Sequence, residues 1–137
     1  MTQVHGTTIA MAGRGLLILG PSGSGKSTLA LQLMAVGAEL VADDRTDLIR
    51  DGGAVIAGCP STLAGRIEAR GVGLLSAAAH LPVPLVLVVD LGRAEDARLP
   101  PLRRHDLLGI GFPLVLGPYR PHLYAALRQY LLFGRRD

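Results

Sequence analysis

The 137-residue sequence predicts an α/β fold, a mixed sheet flanked by helices with a β-hairpin extension. Three observations carry that prediction. Apolar residues make up 49% of the chain and aromatics only 4%, the composition of a Leu/Val/Ile/Ala core in which strands are covered by helices. An apolar run, Gly15 to Leu19, leads into Gly20-Pro21-Ser22-Gly23-Ser24-Gly25-Lys26-Ser27, and helical periodicity follows from Thr28 to Val36. Two short segments, Thr46 to Arg50 and Ala54 to Ala57, flank Asp51-Gly52-Gly53, a hairpin signal. At this length one domain, residues 1–137, is expected, with room for one core and not for two.

The first element is a strand over Thr7 to Met11, ahead of a turn at Gly13-Arg14-Gly15. Two strands therefore precede the glycine loop, and their hairpin brings His5-Gly6 alongside it. Read alone, His5 is more often an ordinary surface histidine. The loop itself satisfies G-x-x-x-x-G-K-[ST] at every fixed position, in the strand–loop–helix setting that this P-loop pattern requires. Glycines at 20, 23 and 25 let the backbone approach phosphate closely and aim successive N–H groups at its oxygens. The following helix adds the positive end of its dipole. Lys26, the sole lysine of the chain, is suited to the β- and γ-phosphates, and the Ser27 hydroxyl to a Mg²⁺ ion.

After the helix stops near Gly37, Glu39 to Ala42 is a short strand that ends in Asp43-Asp44. Ligands of α/β sheets sit beyond the carboxyl ends of strands, so these acids are candidates for chemistry at the γ-phosphate or its metal. Pro84 to Asp90 is a buried strand that also ends in a carboxylate, and on pattern alone Asp90 competes with Asp43 and Asp44. Between them, Thr46 to Arg50 and Ala54 to Ala57 form the hairpin, and Ser61 to Arg66 is expected as a short helix capped by Ser61. Glu68 to Leu75 holds an acid, an arginine and two glycines, read as a functional loop or as a turn with a solvated ion pair. Gly92 to Arg104 reads as a proline-broken loop. Pro113 to Leu116 is expected as a last short strand and Pro121 to Phe133 as a closing amphipathic helix presenting Leu123, Leu127, Tyr130 and Leu131 to the sheet, with Arg120 in the turn between.

The net charge of +3 comes from scattered arginines without interleaved aromatics, which argues against nucleic acid. Cys59 is the only cysteine, so no internal disulfide exists, and an inert thiol in a reducing, cytoplasmic compartment is expected. No signal-like start or bilayer-length apolar run is present, so no membrane role is expected.

Taken together, His5-Gly6, the loop at 20 to 27, Val41-Ala42-Asp43-Asp44 and Glu68-x-Arg70-Gly71-x-Gly73 resemble the catalytic domain of HPr serine kinase/phosphorylase in order and spacing, with a weaker likeness at Gly117-Pro118-Tyr119-Arg120. The resemblance implies an ATP- and Mg²⁺-dependent protein kinase acting on a serine of HPr, the phosphocarrier of the bacterial phosphotransferase system, and a family in which catalytic domains build hexamers. It implies a catalytic group of Asp43 as general base, with Asp44 and His5 beside it, Lys26 on the phosphates and Arg70 on developing charge. It implies nucleotide contacts from Gly20, Pro21, Ser22, Gly23, Ser24, Gly25, Lys26, Ser27, Thr28 and Arg120, and metal contacts from Ser27 and Glu68. Asp90 then becomes a structural acid. The chain departs from the family at Thr28, where an acid is usual, at Ser76, where asparagine is usual, and in a shortened Ala77 to Pro84 segment. The kinase reaction is thus the expectation and the phosphorylase reaction is left open.

Two other readings fit the loop: a small-molecule P-loop kinase with the 93–104 segment as lid, and an ATP-sensing module without turnover. The absence of asparagine removes the guanine-reading Asn-Lys-x-Asp motif of GTPases, and no Leu-Ser-Gly-Gly-Gln-like segment marks a transporter ATPase.

Overall fold

A computed structural model describes all residues from Met1 to Asp137. In chain order the elements are β1 (Thr2–Met11), β2 (Arg14–Leu19), α1 (Lys26–Met34), β3 (Glu39–Ala42), β4 (Arg45–Asp51), β5 (Ala54–Gly58), a 3-10 turn (Ser61–Leu63), β6 (Arg66–Ala69), β7 (Gly73–Ser76), β8 (Val83–Ala94), β9 (Arg104–Leu107), β10 (Ile110–Gly117) and α2 (Leu123–Phe133).

The main sheet runs β3-β1-β2-β8-β10-β9. The strands β2, β8 and β10 are parallel, while β1 is antiparallel to β2 and to β3. The strand β1 changes partner along its length: Thr2–His5 pair β4, and Gly6–Met11 pair β2. The hairpin β4–β5 then rejoins the sheet at the start of β8, through Ile56 opposite Pro84 and Ala57 opposite Val83. This closes a ring, β2-β1-β4-β5-β8.

Side-chain alternation on β2 explains why the sheet needs covering on both faces. Leu16 and Ile18 point to the helices and join Leu29, Leu33, Leu127 and Leu131 in one core, whereas Leu17 points the other way and joins Leu48, Val55, Ala57 and Phe112 beneath the hairpin. Both helices lie on one face, and the hairpin extension covers the other. On α2, Leu123, Leu127 and Leu131 recur every four residues and are buried; Tyr130 is half-buried against the same core. No helix is long and apolar enough to cross a membrane.

Several elements differ from the expectation. The first hairpin turns at Ala12-Gly13, both at positive φ (52° and 73°), while Gly15 stays in the strand, where a Cβ would meet the Pro84 carbonyl at 2.9 Å. Helix does not extend over Ser61 to Arg66: only Ser61–Leu63 wind, without a side-chain cap, and Gly65 at φ 74° redirects the chain into β6. The segment Glu68 to Leu75 is not a loop but the body of the β6–β7 hairpin. The strand β8 runs on to Ala94, and the residues after it are closed at their base by a two-pronged ion pair from Arg103 to Glu95, at 2.8 and 2.9 Å. A fourth hairpin, β9–β10, turns at Leu108-Gly109, with φ of 50° and 83°.

Candidate active site

The glycine loop joins β2 to α1 at the carboxyl ends of the parallel strands. Gly25, at φ 104°, occupies the N-cap of α1, which has neither a side-chain cap nor an acid in its first turn. The first-turn N–H groups and the helix dipole therefore act on whatever enters the loop, the physical basis of an anion site. Ser24 Oγ is buried there with no hydrogen-bond partner, a donor available to an incoming oxygen. Lys26 is 7% exposed and donates to the carbonyls of Gly20 (2.7 Å) and Pro21 (3.1 Å); no carboxylate pairs with it. A buried cation set on neutral carbonyls is a favourable counter-charge for phosphate.

Asp43, 9% exposed at the end of β3, is the hub of the site. Its Oδ1 accepts from Thr7 Oγ1 at 2.9 Å and Ser27 Oγ at 2.8 Å, and its Oδ2 accepts from the Glu68 backbone N–H at 3.0 Å. One carboxylate thus ties β1, α1, β3 and β6 together, and three of its roughly four acceptor sites are filled. Asp44 turns away at φ 68°, its N–H donating to Thr7 Oγ1 at 3.3 Å and its Oδ1 lying 2.7 Å from His5 Nε2. The His5–Asp44 pair is solvent-accessible on both sides.

The hairpin β6–β7 presents Glu68 and Arg70 to the loop. The Arg70 Nη2 stands 3.7 Å from the point a Cβ on Gly23 would take. From the opposite side Tyr119 leans on the loop: its ring atoms lie 3.1 Å from the Cβ position of Gly25, and its hydroxyl accepts from Gln32 Nε2 at 2.8 Å.

These groups line a cleft of about 420 Å³. Of the residues singled out from sequence, Ser22 to Thr28, Asp43, Asp44, Glu68 and Arg70 face it. Gly20 and Pro21 lie behind, contributing the carbonyls that hold Lys26, and His5 reaches the cleft only through Asp44. Arg120 is exposed and does not line it; its neighbour Tyr119 does. Asp90 lies outside the cleft, its Oδ1 taken by the Gly92 N–H at 2.9 Å, a local turn. Thr7 and Tyr119 were not singled out: a threonine in a β-rich run carries no signal of its own, whereas the tyrosine beside Arg120 was within sight. Cys59 sits apart, half-buried, with burial and then nearby Asp47 pushing its thiol up from 9.0.

Comparison with known proteins gives the same direction. The family model described as HPr Serine kinase C-terminal domain matches residues 1–82. The HPr kinase/phosphorylase of Cupriavidus metallidurans is 40% identical over 124 residues, 82% of this chain and 38% of that protein. Its counterpart in Bordetella pertussis is 51% identical over 75 residues, 54% of this chain and 24% of that protein. This chain therefore spans well under half the length of these relatives. The structure of the Hpr(Ser) kinase/phosphatase from Coxiella burnetii superposes with a TM-score of 0.80 at 28% identity, covering 95% of this chain and 90% of that one. The mixed sheet with its two helices is thus shared with a solved kinase of this kind, and the family match covers more than half of the residues: the chain belongs to the HPr serine kinase C-terminal domain family.

Proposed function

We propose that residues 1–137 form one catalytic domain, a cytoplasmic kinase that transfers the γ-phosphoryl group of ATP to a serine hydroxyl of an HPr-like phosphocarrier protein. The observation that carries this reading is the convergence on Asp43: a strand-end carboxylate hydrogen-bonded to the phosphate-loop serine, beside a buried, carboxylate-free lysine.

The residues fit ATP and Mg²⁺. Ser24 Oγ, the uncapped helix terminus and Lys26 are donors and positive charge without anionic partners. No three His, Cys, Asp or Glu side chains form a metal cage, which suits Mg²⁺, an ion usually held by one or two protein oxygens plus phosphate and water. Ser27 and Glu68 are the oxygens for it. When bound, the ion neutralises charge building on the β- and γ-phosphates.

Phosphoryl transfer asks the protein mainly for positioning and counter-charge. Asp43 keeps one acceptor site for the seryl hydroxyl and takes its proton as the seryl oxygen bonds to the γ-phosphorus. The bond from that phosphorus to the bridging oxygen breaks, and ADP leaves. Lys26 and Arg70 stabilise the charge passing between them. Thr7 and the Glu68 N–H hold Asp43 in place, and His5 does the same for Asp44.

Labelled ATP with Mg²⁺ and HPr tests the reading: label on an HPr serine is expected. Bound ATP with no label on HPr would overturn it in favour of a nucleotide sensor.

A further inference from the structure

The cleft has two unlike ends. In the sheet, Asp43 reaches the glycine loop from β3, on one side of β2 across β1, and Tyr119 reaches it just after β10, on the other side across β8. Asp43, Ser27 and Lys26 mark the end where the terminal phosphate lies. A nucleotide whose terminal phosphate lies there has the rest of the cleft, as far as Tyr119, for its remaining length.

Tyr119 is the one hydrophobic residue of the cleft lining. Its ring is held at two points: it rests on Gly25, and its hydroxyl takes the hydrogen bond from Gln32, one helical turn beyond Thr28 on α1. A nucleotide offers a π-face only in its base, and base–aromatic stacking is a favourable, geometry-dependent contact. The other lining residues provide charge, hydroxyls and backbone, all suited to phosphate.

We propose that the Tyr119 ring, tethered by Gln32 and seated on Gly25, is the platform for the nucleoside part of the nucleotide. This rests on the kinase reading above and adds to it a division of the cleft into a phosphate half and a nucleoside half. Arg120, exposed beside it, is not part of the platform.

Calorimetric titration of the chain with Mg²⁺-ATP and with Mg²⁺-tripolyphosphate, which has the phosphates and no nucleoside, tests the division. The wild type should bind ATP more tightly than tripolyphosphate. Tyr119→Ala should weaken ATP about tenfold and leave tripolyphosphate within about twofold, which also reports that the loop of the variant is folded. Tyr119→Phe, which keeps the ring and loses the tether, should hold ATP within about threefold of wild type. Equal losses for both ligands in Tyr119→Ala, unchanged ATP affinity, or a Tyr119→Phe as weak as Tyr119→Ala would each overturn the platform. Equal wild-type affinity for the two ligands would overturn it while leaving the kinase reading intact, whereas binding of neither would defeat both.

Discussion

Ser27 Oγ donates to Asp43 Oδ1 at 2.8 Å, coupling the last residue of the glycine loop to a strand two positions away in the sheet. Replacing Asp43 by Asn keeps the shape but turns one acceptor oxygen into an NH₂ facing donors. Asp43→Asn should lose about 1–3 kcal/mol of stability, the cost of an unsatisfied buried polar group. Transfer to HPr should fall at least ~100-fold, with nucleotide still bound. Thermal unfolding, nucleotide titration and a labelling assay separate the three effects; near-normal transfer would remove Asp43 as base.

Asp44 adopts φ 68°, a conformation that costs most L-residues roughly 1–2 kcal/mol. Asp44→Gly should therefore fold at least as stably as wild type while losing transfer, because His5 loses its partner. Asp44→Val should unfold at lower temperature. For His5, the Gln variant, which keeps a donor toward Asp44, should retain more transfer than the Ala variant.

Gly25 is constrained twice, by φ 104° and by the Tyr119 ring at 3.1 Å from its Cβ position. Gly25→Ala is expected to cost roughly 1–3 kcal/mol through backbone strain and to weaken nucleotide binding as the ring and loop separate. A variant with wild-type unfolding temperature and affinity would contradict that geometry.

Glu68 holds Asp43 through its backbone and faces the cleft with its side chain. Glu68→Gln preserves the first role. It should raise the Mg²⁺ concentration needed for half-maximal transfer several-fold while leaving the unfolding temperature unchanged; an unaltered Mg²⁺ dependence would remove Glu68 as a metal ligand.

The side-chain hydrogen bond from Arg103 holds the Glu95 carboxyl below its ordinary value of 4.5. A carboxylate with a lowered folded value stabilises the fold above the unfolded value, and that contribution disappears as pH falls through the folded one. The unfolding temperature of wild type should therefore exceed that of Glu95→Gln near neutrality, with the gap narrowing below about pH 4.5. A gap that stays constant down to acid pH would show that the ion pair is not its source.

The parts of the fold governed by local chemistry were legible in the sequence. The glycine loop, the Asp51-Gly52-Gly53 hairpin and the buried run to Asp90 each follow from residue types with strong backbone preferences. The β9–β10 hairpin was hidden because its turn places a leucine, Leu108, at φ 50°, where Asn or Asp would have announced it. The β6–β7 hairpin was hidden because all of β7 is exposed, leaving no alternation to read. At the site, Asp43 stood out, but its link to Thr7 depends on the antiparallel pairing of β1 with β3, a tertiary fact.

The ring formed by β2, β1, β4, β5 and β8 also decides which backbone groups of the large sheet remain open to another chain. Every strand in it has a neighbour on both sides, so the sheet ends only at β3 and β9. Leu40 on β3 is bridged to Ala79, and its carbonyl accepts the His80 N–H. That leaves β9, four residues long and carrying Arg104, His105 and Asp106, as the free edge. A short, charged border is a poor template for strand addition, which protects the chain against edge-to-edge aggregation.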